Sequence, residues 1–378
     1  MNDTGPWEPF EKIASEKWRR SRAYKEQTGC TAVGHLLPDV PEELIHAVGG
    51  LPVALWGAGV EMSHAQAHIP SYTCSHAMGA LELGFREELD FLDAAIIPYV
   101  CDTTRNLFHI WQQCFPAMKN EFLRLPKRLD YSGARVYLGR EYERIFAFLK
   151  TLTGSDAGVS ELSESIALFN KGRALLRRAY DKQREDPSVW PLSRVIHLFE
   201  SWFFTPKEEH IALMEKLPWD SKDGGKPDER ILLYVRGKVW DPPAILELLD
   251  ELKFVLAGDE VVTGYRVAAV DASLEQDPFE ALVDRFMSTP AYPGYHFDPE
   301  RMRESFVDRV VQSGAQGVLF LNPKFCEAAG FDTPDFQKAL EEKGIPSIVL
   351  ETSTRGVSLE QLRVRLEAFR EMMSEDLP

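Results

Sequence analysis

Three of the five cysteines in this chain stand in the same structural setting. Cys101 directly follows the apolar run 96–100, and Cys326 comes shortly after the apolar run 317–321. Cys74 lies at the opening of a predicted helix. Ligands of open parallel sheets bind in the crevice at the carboxyl ends of the strands, and a helix amino terminus favours the thiolate form of cysteine. We therefore expect these three thiols to face one crevice.

Three converging thiolates would suit an iron–sulfur cluster with one open iron, because a closed tetrahedral zinc site needs four ligands. The alternative interpretation is that each cysteine is simply buried, as small apolar side chains are. The residues alone leave both interpretations open. Cys30 and Cys114 lack this setting, and Cys114 lies late on a predicted helix where packing is the simpler explanation.

Glu43 and His46 are the candidates for proton transfer. They lie three residues apart on a helix predicted to begin at Pro41, and therefore on one face of it. We expect both side chains near the crevice, where they could hydrogen-bond a substrate or shuttle protons. A solvated face of an amphipathic helix is the other interpretation.

Other signatures of catalysis are absent from the sequence. There is no G-x-x-x-x-G-K-[ST] motif, so this chain should not hydrolyse ATP itself, and no G-x-G-x-x-G follows a strand. Nothing matches H-E-x-x-H, G-x-S-x-G or a clustered C-x-x-C. Three histidines near Cys74 could bind metal or move protons, although histidines in such a loop before a helix are more often solvated or capping: His64, His68 and His76.

The elements that must position these residues alternate between apolar strands and amphipathic helices in both terminal parts of the chain. Between them, long helical patterns with almost no strand signal cover residues 141–152, 160–180 and 192–204. Alternation of this kind favours a parallel sheet with helices on its faces. A turn is expected inside residues 255–262, and residues 218–228 are the best linker candidate.

The sequence thus predicts an α/β fold of two Rossmann-like parallel-sheet units with a helical segment between them. The expected domains are residues 1–135 with Cys74 and Cys101, a helical domain 136–227, and residues 228–378 with Cys326.

Composition narrows the classes of partner. The 378 residues include 43 Lys and Arg against 59 Asp and Glu, a formal charge of −16. Such a chain repels nucleic-acid backbones and anionic membrane surfaces. The start of the sequence has no basic n-region and no apolar h-region, and no apolar stretch is long enough to span a bilayer. We expect a cytoplasmic protein with no nucleic-acid or membrane partner.

A set of short motifs, in a fixed order along nearly the whole chain, resembles the benzoyl-CoA reductase and 2-hydroxyacyl-CoA dehydratase family. The motifs are residues 41–53 (PEELIHAVGGLPV), 71–74 (SYTC), 90–93 (DFLD), 97–107 (IPYVCDTTRNL) with Trp111 and Phe115-Pro116, 322–326 (NPKFC), 343–346 (KGIP), Glu351 and 365–369 (RLEAF).

The resemblance implies a subunit that pairs with a homologous second catalytic subunit and acts on an acyl-CoA substrate. It implies Cys74, Cys101 and Cys326 as ligands of a [4Fe-4S] cluster, with a double-cubane cluster as an alternative. It further implies a separate ATP-hydrolysing iron–sulfur activator, with ferredoxin as the upstream electron donor.

Within the family, two segments look most like the smaller catalytic subunit of ATP-dependent benzoyl-CoA reductases. They are residues 101–107, together with Trp111 and Phe115, and residues 206–210 (PKEEH). That subunit would deliver or relay single electrons to an aromatic acyl-CoA. The ending 365–369 looks as much like the dehydratases, whereas residues 352–356 (TSTRG) depart from them. The alternatives are a β subunit of a 2-hydroxyacyl-CoA dehydratase and a homodimeric double-cubane-cluster reductase.

Overall fold

The computed structural model describes residues 5–36, 39–220, 230–290, 298–352 and 358–375. The strands in these ranges are β1 (Ala32–His35), β2 (Leu51–Ala54), β3 (Ala94–Pro98), β4 (Lys119–Leu123), β5 (Ile231–Gly237), β6 (Phe254–Val261), β7 (Gly317–Pro323) and β8 (Ser347–Thr352). The helices are α1 (Glu8–Glu16), α2 (Trp18–Thr28), α3 (Glu42–Ala47), α4 (Ser75–Phe85), α5 (Asp102–Cys114), α6 (Ala134–Thr153), α7 (Val159–Glu185), α8 (Leu192–Trp202), α9 (Lys207–Met214), α10 (Ile245–Glu251), α11 (Pro278–Ser288), α12 (Pro299–Ser313), α13 (Glu327–Glu341) and α14 (Leu359–Glu375).

The described strands form two parallel sheets of the same topology. The first sheet has the strand order β2-β1-β3-β4 and the second the order β6-β5-β7-β8. In each sheet, therefore, the first strand of that part of the chain lies between the second and the third, and the fourth lies at the edge beside the third. Every pair of neighbouring strands is parallel. The prediction of an α/β fold with two Rossmann-like units is therefore confirmed.

Helices α6 to α9 lie between the two sheets in the sequence, as the strand-poor middle of the chain predicted. One apolar core includes Val53 of the first sheet, Phe199 of α8 and Val235 of the second sheet. A second core packs α6 and α11 against the first sheet, through Ile96, Ile145 and similar side chains. The domain boundaries at residues 135 and 227 stay a prediction.

The turn expected inside residues 255–262 does not exist, because β6 runs without a break through that segment. A shift in register absorbs the extra residue: Leu233 pairs with Leu256, but Tyr234 pairs with Gly258. A Cβ atom at Gly258 would lie 2.6 Å from the Tyr234 ring. The glycine that suggested a turn is thus needed to make room for a neighbouring aromatic ring.

Two other sequence-based expectations fall partly beyond these ranges. Residues 221–228 of the linker candidate lie outside the described residues, as do residues 353–356 of the segment that departs from the dehydratases. Among the helices that the structure describes, none is long and apolar enough to cross a membrane.

Glu200 on α8 provides a test of how this fold tolerates buried charge. Burial raises the pKa of its carboxyl from 4.5 to about 7, and the nearby Glu247 and Asp241 act in the same direction against Lys17. Since the unfolded chain releases this proton at lower pH, the free energy of unfolding should fall as pH rises from about 4.5 to about 7.

We expect Glu200→Gln to be more stable than the wild type at pH 8, by up to roughly 3 kcal/mol. The gain should shrink towards pH 5, where the wild-type carboxyl is protonated in the folded state. Urea unfolding at several pH values measures both quantities. A gain that does not change with pH would contradict this account of Glu200.

Candidate functional site

Cys74, Cys101 and Cys326 are the N-cap residues of α4, α5 and α13. All three line a single cavity of about 640 Å³, called the cysteine cavity below. Its other walls include Tyr99, Val100, Asp102, Thr103, Lys127, Lys238, Pro299, Met302, Arg303, Phe325, Glu327, Ala328, Phe331, Asp332, Asp335 and Phe336. Three helix amino termini, each with the partial positive charge of its peptide dipoles, thus meet at one cavity.

The backbone of Cys101 is held near the end of β3 by hydrogen bonds with the Thr104 side chain. The Cys101 backbone N–H donates to Thr104 Oγ1 over 3.1 Å, and the Val100 backbone N–H donates to the same oxygen over 3.0 Å. Thr104 Oγ1 also donates to the Cys101 carbonyl over 2.9 Å. Thr104 therefore fixes the backbone at Cys101, where α5 begins.

Cys74 reaches the cavity from a long loop after β2, and two glycines determine where its helix lies. A Cβ atom at Gly57 would lie 1.9 Å from the His76 carbonyl oxygen, and one at Gly79 would lie 2.0 Å from the Gly57 carbonyl oxygen. Only glycine permits this backbone-to-backbone contact between the loop and α4. Burial raises the pKa of the Cys74 thiol, in opposition to the Lys238 charge.

Cys326 follows β7, the strand of the second sheet that corresponds to β3 of the first. Phe325, just before it, has a positive φ of 63° and allows α13 to begin directly after the strand. The Cys326 backbone N–H donates to the Pro323 carbonyl over 2.9 Å. Cys101 and Cys326 thus occupy equivalent places in the two units, as expected from the sequence.

Lys238 is a site residue that was not expected from the sequence. It follows β5, the neighbour of β7, so it lies with Cys326 where the strand order of the second sheet reverses. The Lys238 side chain hydrogen-bonds with that of Cys326. Burial alone would lower the pKa of its ammonium group, but the charges that Cys326, Cys74 and Cys101 can carry outweigh burial and raise it. The feature of the sequence that could have identified Lys238 was its position at the end of a strand.

Lys127 brings a second ammonium group to the cavity. It donates to the Val100 carbonyl and lies 4.2 Å from the centre of the Tyr99 ring. Burial lowers its pKa, whereas Cys101 and Asp102 act in the opposite direction. The cavity therefore has cations on both the Cys101 side and the Cys326 side.

Cys30 and Cys114 do not line the cysteine cavity. Cys30 follows the C-cap glycine of α2, and Cys114 is the last residue of α5. The Cys114 sulfur lies 3.8 Å from His68 Nδ1, and burial raises the pKa of its thiol. Both cysteines therefore lie apart from Cys74, Cys101 and Cys326, as their different positions in the sequence predicted.

The structure does not bring Glu43 and His46 to the cysteine cavity. Glu43 is buried, and its carboxylate lies 2.7 Å from Arg173 Nη1. His46 contacts Ser165 Oγ at 3.0 Å and Glu208 Oε1 at 2.9 Å. Both side chains face α7 and α9, because α3 packs on the helical segment. A role in proton transfer stays a prediction, and unchanged turnover and pH profile in Glu43→Gln would contradict it.

The three histidines near Cys74 have separate surroundings. His64 pairs with the buried Glu82 at 3.0 Å, and His68 stacks on Phe85 with 4.6 Å between ring centres. His76 is buried behind Cys74, and burial together with Lys238 lowers its pKa to about 3. His76 is therefore neutral at pH 7. Among the described residues, no three His, Cys, Asp or Glu side chains are grouped so that they could hold a metal ion.

The cysteine cavity nevertheless fits an iron–sulfur cluster. A cluster is bulkier than one metal ion, so its ligands stand around a space rather than around a point. Cysteine thiolates are the usual ligands of such clusters, and the hydrogen bonds and charges around them set their properties. Here three cysteines, backbone N–H groups at helix starts and the Lys238 ammonium surround a space of about 640 Å³.

Comparison with known proteins gives a match over most of the chain. The model of the family described as 2-hydroxyglutaryl-CoA dehydratase, D-component, matches residues 39–373. The chain is 28% identical to lactoyl-CoA dehydratase subunit beta of Anaerotignum propionicum, covering 96% of both chains. It is 28% identical to (R)-2-hydroxyglutaryl-CoA dehydratase subunit beta of Acidaminococcus fermentans, covering 97% of this chain and 98% of the relative. It is 23% identical to a benzoyl-CoA reductase subunit of Thauera aromatica, covering 96% and 95%.

Proposed function

Because the chain belongs to the 2-hydroxyglutaryl-CoA dehydratase D-component family, we propose that it is the cluster-bearing β-type subunit of a cytoplasmic enzyme acting on CoA thioesters. The observation that supports this most directly is the meeting of Cys74, Cys101 and Cys326 at one cavity. In this proposal the three thiolates hold an iron–sulfur cluster.

A bound iron–sulfur cluster would supply single-electron transfer, which side chains alone do not provide at low potential. The contribution of this chain is to hold and surround the cluster. Thr104 fixes the backbone at Cys101, and the Gly57–Gly79 contact fixes the helix that begins after Cys74. Lys238 offsets the negative charge of the thiolates inside a partly closed cavity.

Of the two activities in the family, we propose the dehydratase. Three dehydratase β subunits are 25–28% identical to this chain, whereas the reductase subunit is 23% identical. The aromatic acyl-CoA reductase favoured by the residues 101–107 is the second candidate. Each of these relatives is named as one subunit of its enzyme. Those names support a partner subunit for this chain. The resemblance of the sequence motifs further suggests that this partner is homologous and that a separate ATP-hydrolysing activator is fed by ferredoxin.

The test is anaerobic co-purification of this chain with the products of neighbouring genes, followed by counts of iron and labile sulfide. The complex is then assayed, with activator, ATP and a low-potential reductant, on 2-hydroxyacyl-CoA thioesters and on benzoyl-CoA. We expect a brown, air-sensitive protein that dehydrates a 2-hydroxyacyl-CoA. Ring reduction of benzoyl-CoA without dehydration would replace the dehydratase by the second candidate, and a colourless preparation without iron would contradict both.

Lys238 gives a prediction that does not depend on turnover. A positive charge beside a cluster stabilises its reduced, more negative state, so Lys238→Met should make the midpoint potential more negative, on the order of 100 mV. Lys238→Arg keeps the charge and should restore most of the potential. A redox titration followed by electron paramagnetic resonance measures it, with iron content as the control. An unchanged potential in iron-replete Lys238→Met would contradict the role.

A further inference from the structure

A second cavity, of about 50 Å³, lies between α3, α6, α7 and α11. It is called the charged cavity here, because six charged side chains line it: Asp39, Glu42, Glu43, Arg173, Arg266 and Arg285. Arg285 is partly buried, and the other five are buried. None of the described lining residues also lines the cysteine cavity. The charged cavity is therefore a separate place for a ligand.

The carboxylates of the charged cavity each have a cation of their own. The pairs are Asp39 with Arg266 at 3.0 Å, Glu42 with Lys207 at 3.1 Å, and Glu43 with Arg173 at 2.7 Å. Arg173 also contacts Asp271, at 3.4 Å, but that carboxylate lies closer to Arg177, at 2.7 Å. These pairs balance one another, so they leave no surplus of negative charge in the cavity wall.

Arg285 is the cation of the charged cavity that lacks such a partner. Its Nε donates to the Val270 carbonyl over 3.0 Å, and its Nη2 donates to the Val267 carbonyl over 2.8 Å. No carboxylate in the described part of the chain forms an ion pair with it. Burial lowers the pKa of Arg285 to about 10, and the neighbouring guanidinium groups act in the same direction, against Glu43. A counter-ion would stabilise a cation in this setting.

The Tyr142 hydroxyl provides a neutral donor in the same wall. Tyr142 of α6 is 1% exposed and lines the charged cavity. Burial and Asp39 raise the pKa of its phenol, whereas Arg285 acts in the opposite direction. The hydroxyl therefore keeps its proton, and no hydrogen bond joins it to another described residue. Buried hydroxyl groups in proteins usually have a partner, and an anion in the cavity would be such a partner.

The size of the charged cavity limits the ligand. One water molecule needs roughly 10–15 Å³ of such space, so about 50 Å³ holds a small ion and little else. We propose that the charged cavity binds one small monovalent anion, of the size of chloride, against the Arg285 guanidinium and the Tyr142 hydroxyl. A single negative charge matches the one cation that lacks a carboxylate. The anion would link α11 to α6, and this inference does not depend on the proposed function.

The experiment follows thermal unfolding of the full-length chain, purified without oxygen, while sodium chloride replaces sodium gluconate at constant ionic strength. Gluconate is too large for the cavity. We expect the melting temperature to rise along a saturating curve, because a ligand that binds only the folded chain stabilises it by mass action. Sodium bromide and sodium formate should act in the same way as chloride.

Variants connect this effect to the charged cavity. Arg285→Gln removes the unpaired charge and should raise the chloride concentration that gives half of the effect about tenfold or more. Tyr142→Phe removes one donor and should raise that concentration less, about threefold. Arg135→Gln is the matched control, because Arg135 is an exposed arginine that pairs with Asp284 of α11 and does not line the cavity. This control should leave the curve unchanged.

A crystal structure of the chain grown in sodium bromide gives an answer that needs no variant to fold. The anomalous signal of bromide should show a peak inside the charged cavity, beside Arg285. A cavity that holds only water under these conditions would overturn the inference, and so would identical melting in chloride and gluconate. A chloride effect of equal size in Arg285→Gln and the wild type would place the anion elsewhere and would also overturn it.

Discussion

Replacing Cys74, Cys101 or Cys326 by alanine is expected to reduce the iron content of the anaerobically purified chain to background. Each of the three cysteines comes from a different helix start, and two anchors are too few to keep a cluster in water. Loss of the cluster should also lower the melting temperature, because a site assembled from distant segments couples metal binding to folding. Iron and labile sulfide per chain, visible absorbance and thermal unfolding measure these effects.

Cys30 and Cys114 provide matched controls for the loss of a thiol. Neither lines the cysteine cavity, so Cys30→Ala and Cys114→Ala should keep the iron content, the absorbance and the activity of the wild type. Loss of the cluster in Cys114→Ala together with its retention in Cys326→Ala would mean that the ligand set and the resemblance on which it rests are both wrong.

Arg173→Met should cost about 3–5 kcal/mol of stability, the largest effect that we expect from a residue outside the cysteine cavity. Arg173 of α7 and Glu43 of α3 are both about 2% exposed, and their charged groups lie 2.7 Å apart. Although burial by itself raises the pKa of Glu43, Arg173 and Arg285 outweigh it and lower that pKa. Without Arg173, the buried carboxylate of Glu43 loses its direct partner, and Arg285 and Lys207 offset its charge less strongly.

Lys171 on the same helix is the control for this ion pair. Its ammonium also lies 2.7 Å from a carboxylate, that of Glu215, but the two side chains are 58% and 50% exposed. Lys171→Met should therefore cost less than about 1 kcal/mol in chemical unfolding. The double variant Arg173→Met, Glu43→Leu should recover part of the loss, since it removes both members of the buried ion pair. Equal costs for Arg173→Met and Lys171→Met would contradict the role of burial.

The sequence by itself determined the class of the fold and the kind of residue at the site. Apolar runs with helical patterns between them predict parallel sheets, because each strand must be covered on both faces and each crossover needs a helix. Cys101 and Cys326 could be placed at strand ends from these runs alone. One exception in the fold is instructive: the turn expected near Gly258 is a continuous strand, since the glycine makes room for Tyr234.

Only the tertiary structure decided which side chains share a cavity. The sequence puts Glu43 and His46 on one face of α3 but contains no information on what that face meets, and it meets Arg173 and Glu208 rather than the cysteines. Conversely, Lys238 is more than 80 residues from its contact Cys326, so no local pattern joins them. The neighbouring strands β5 and β7 bring these two residues together, because parallel pairing places the carboxyl ends of strands that are distant in sequence at the same edge.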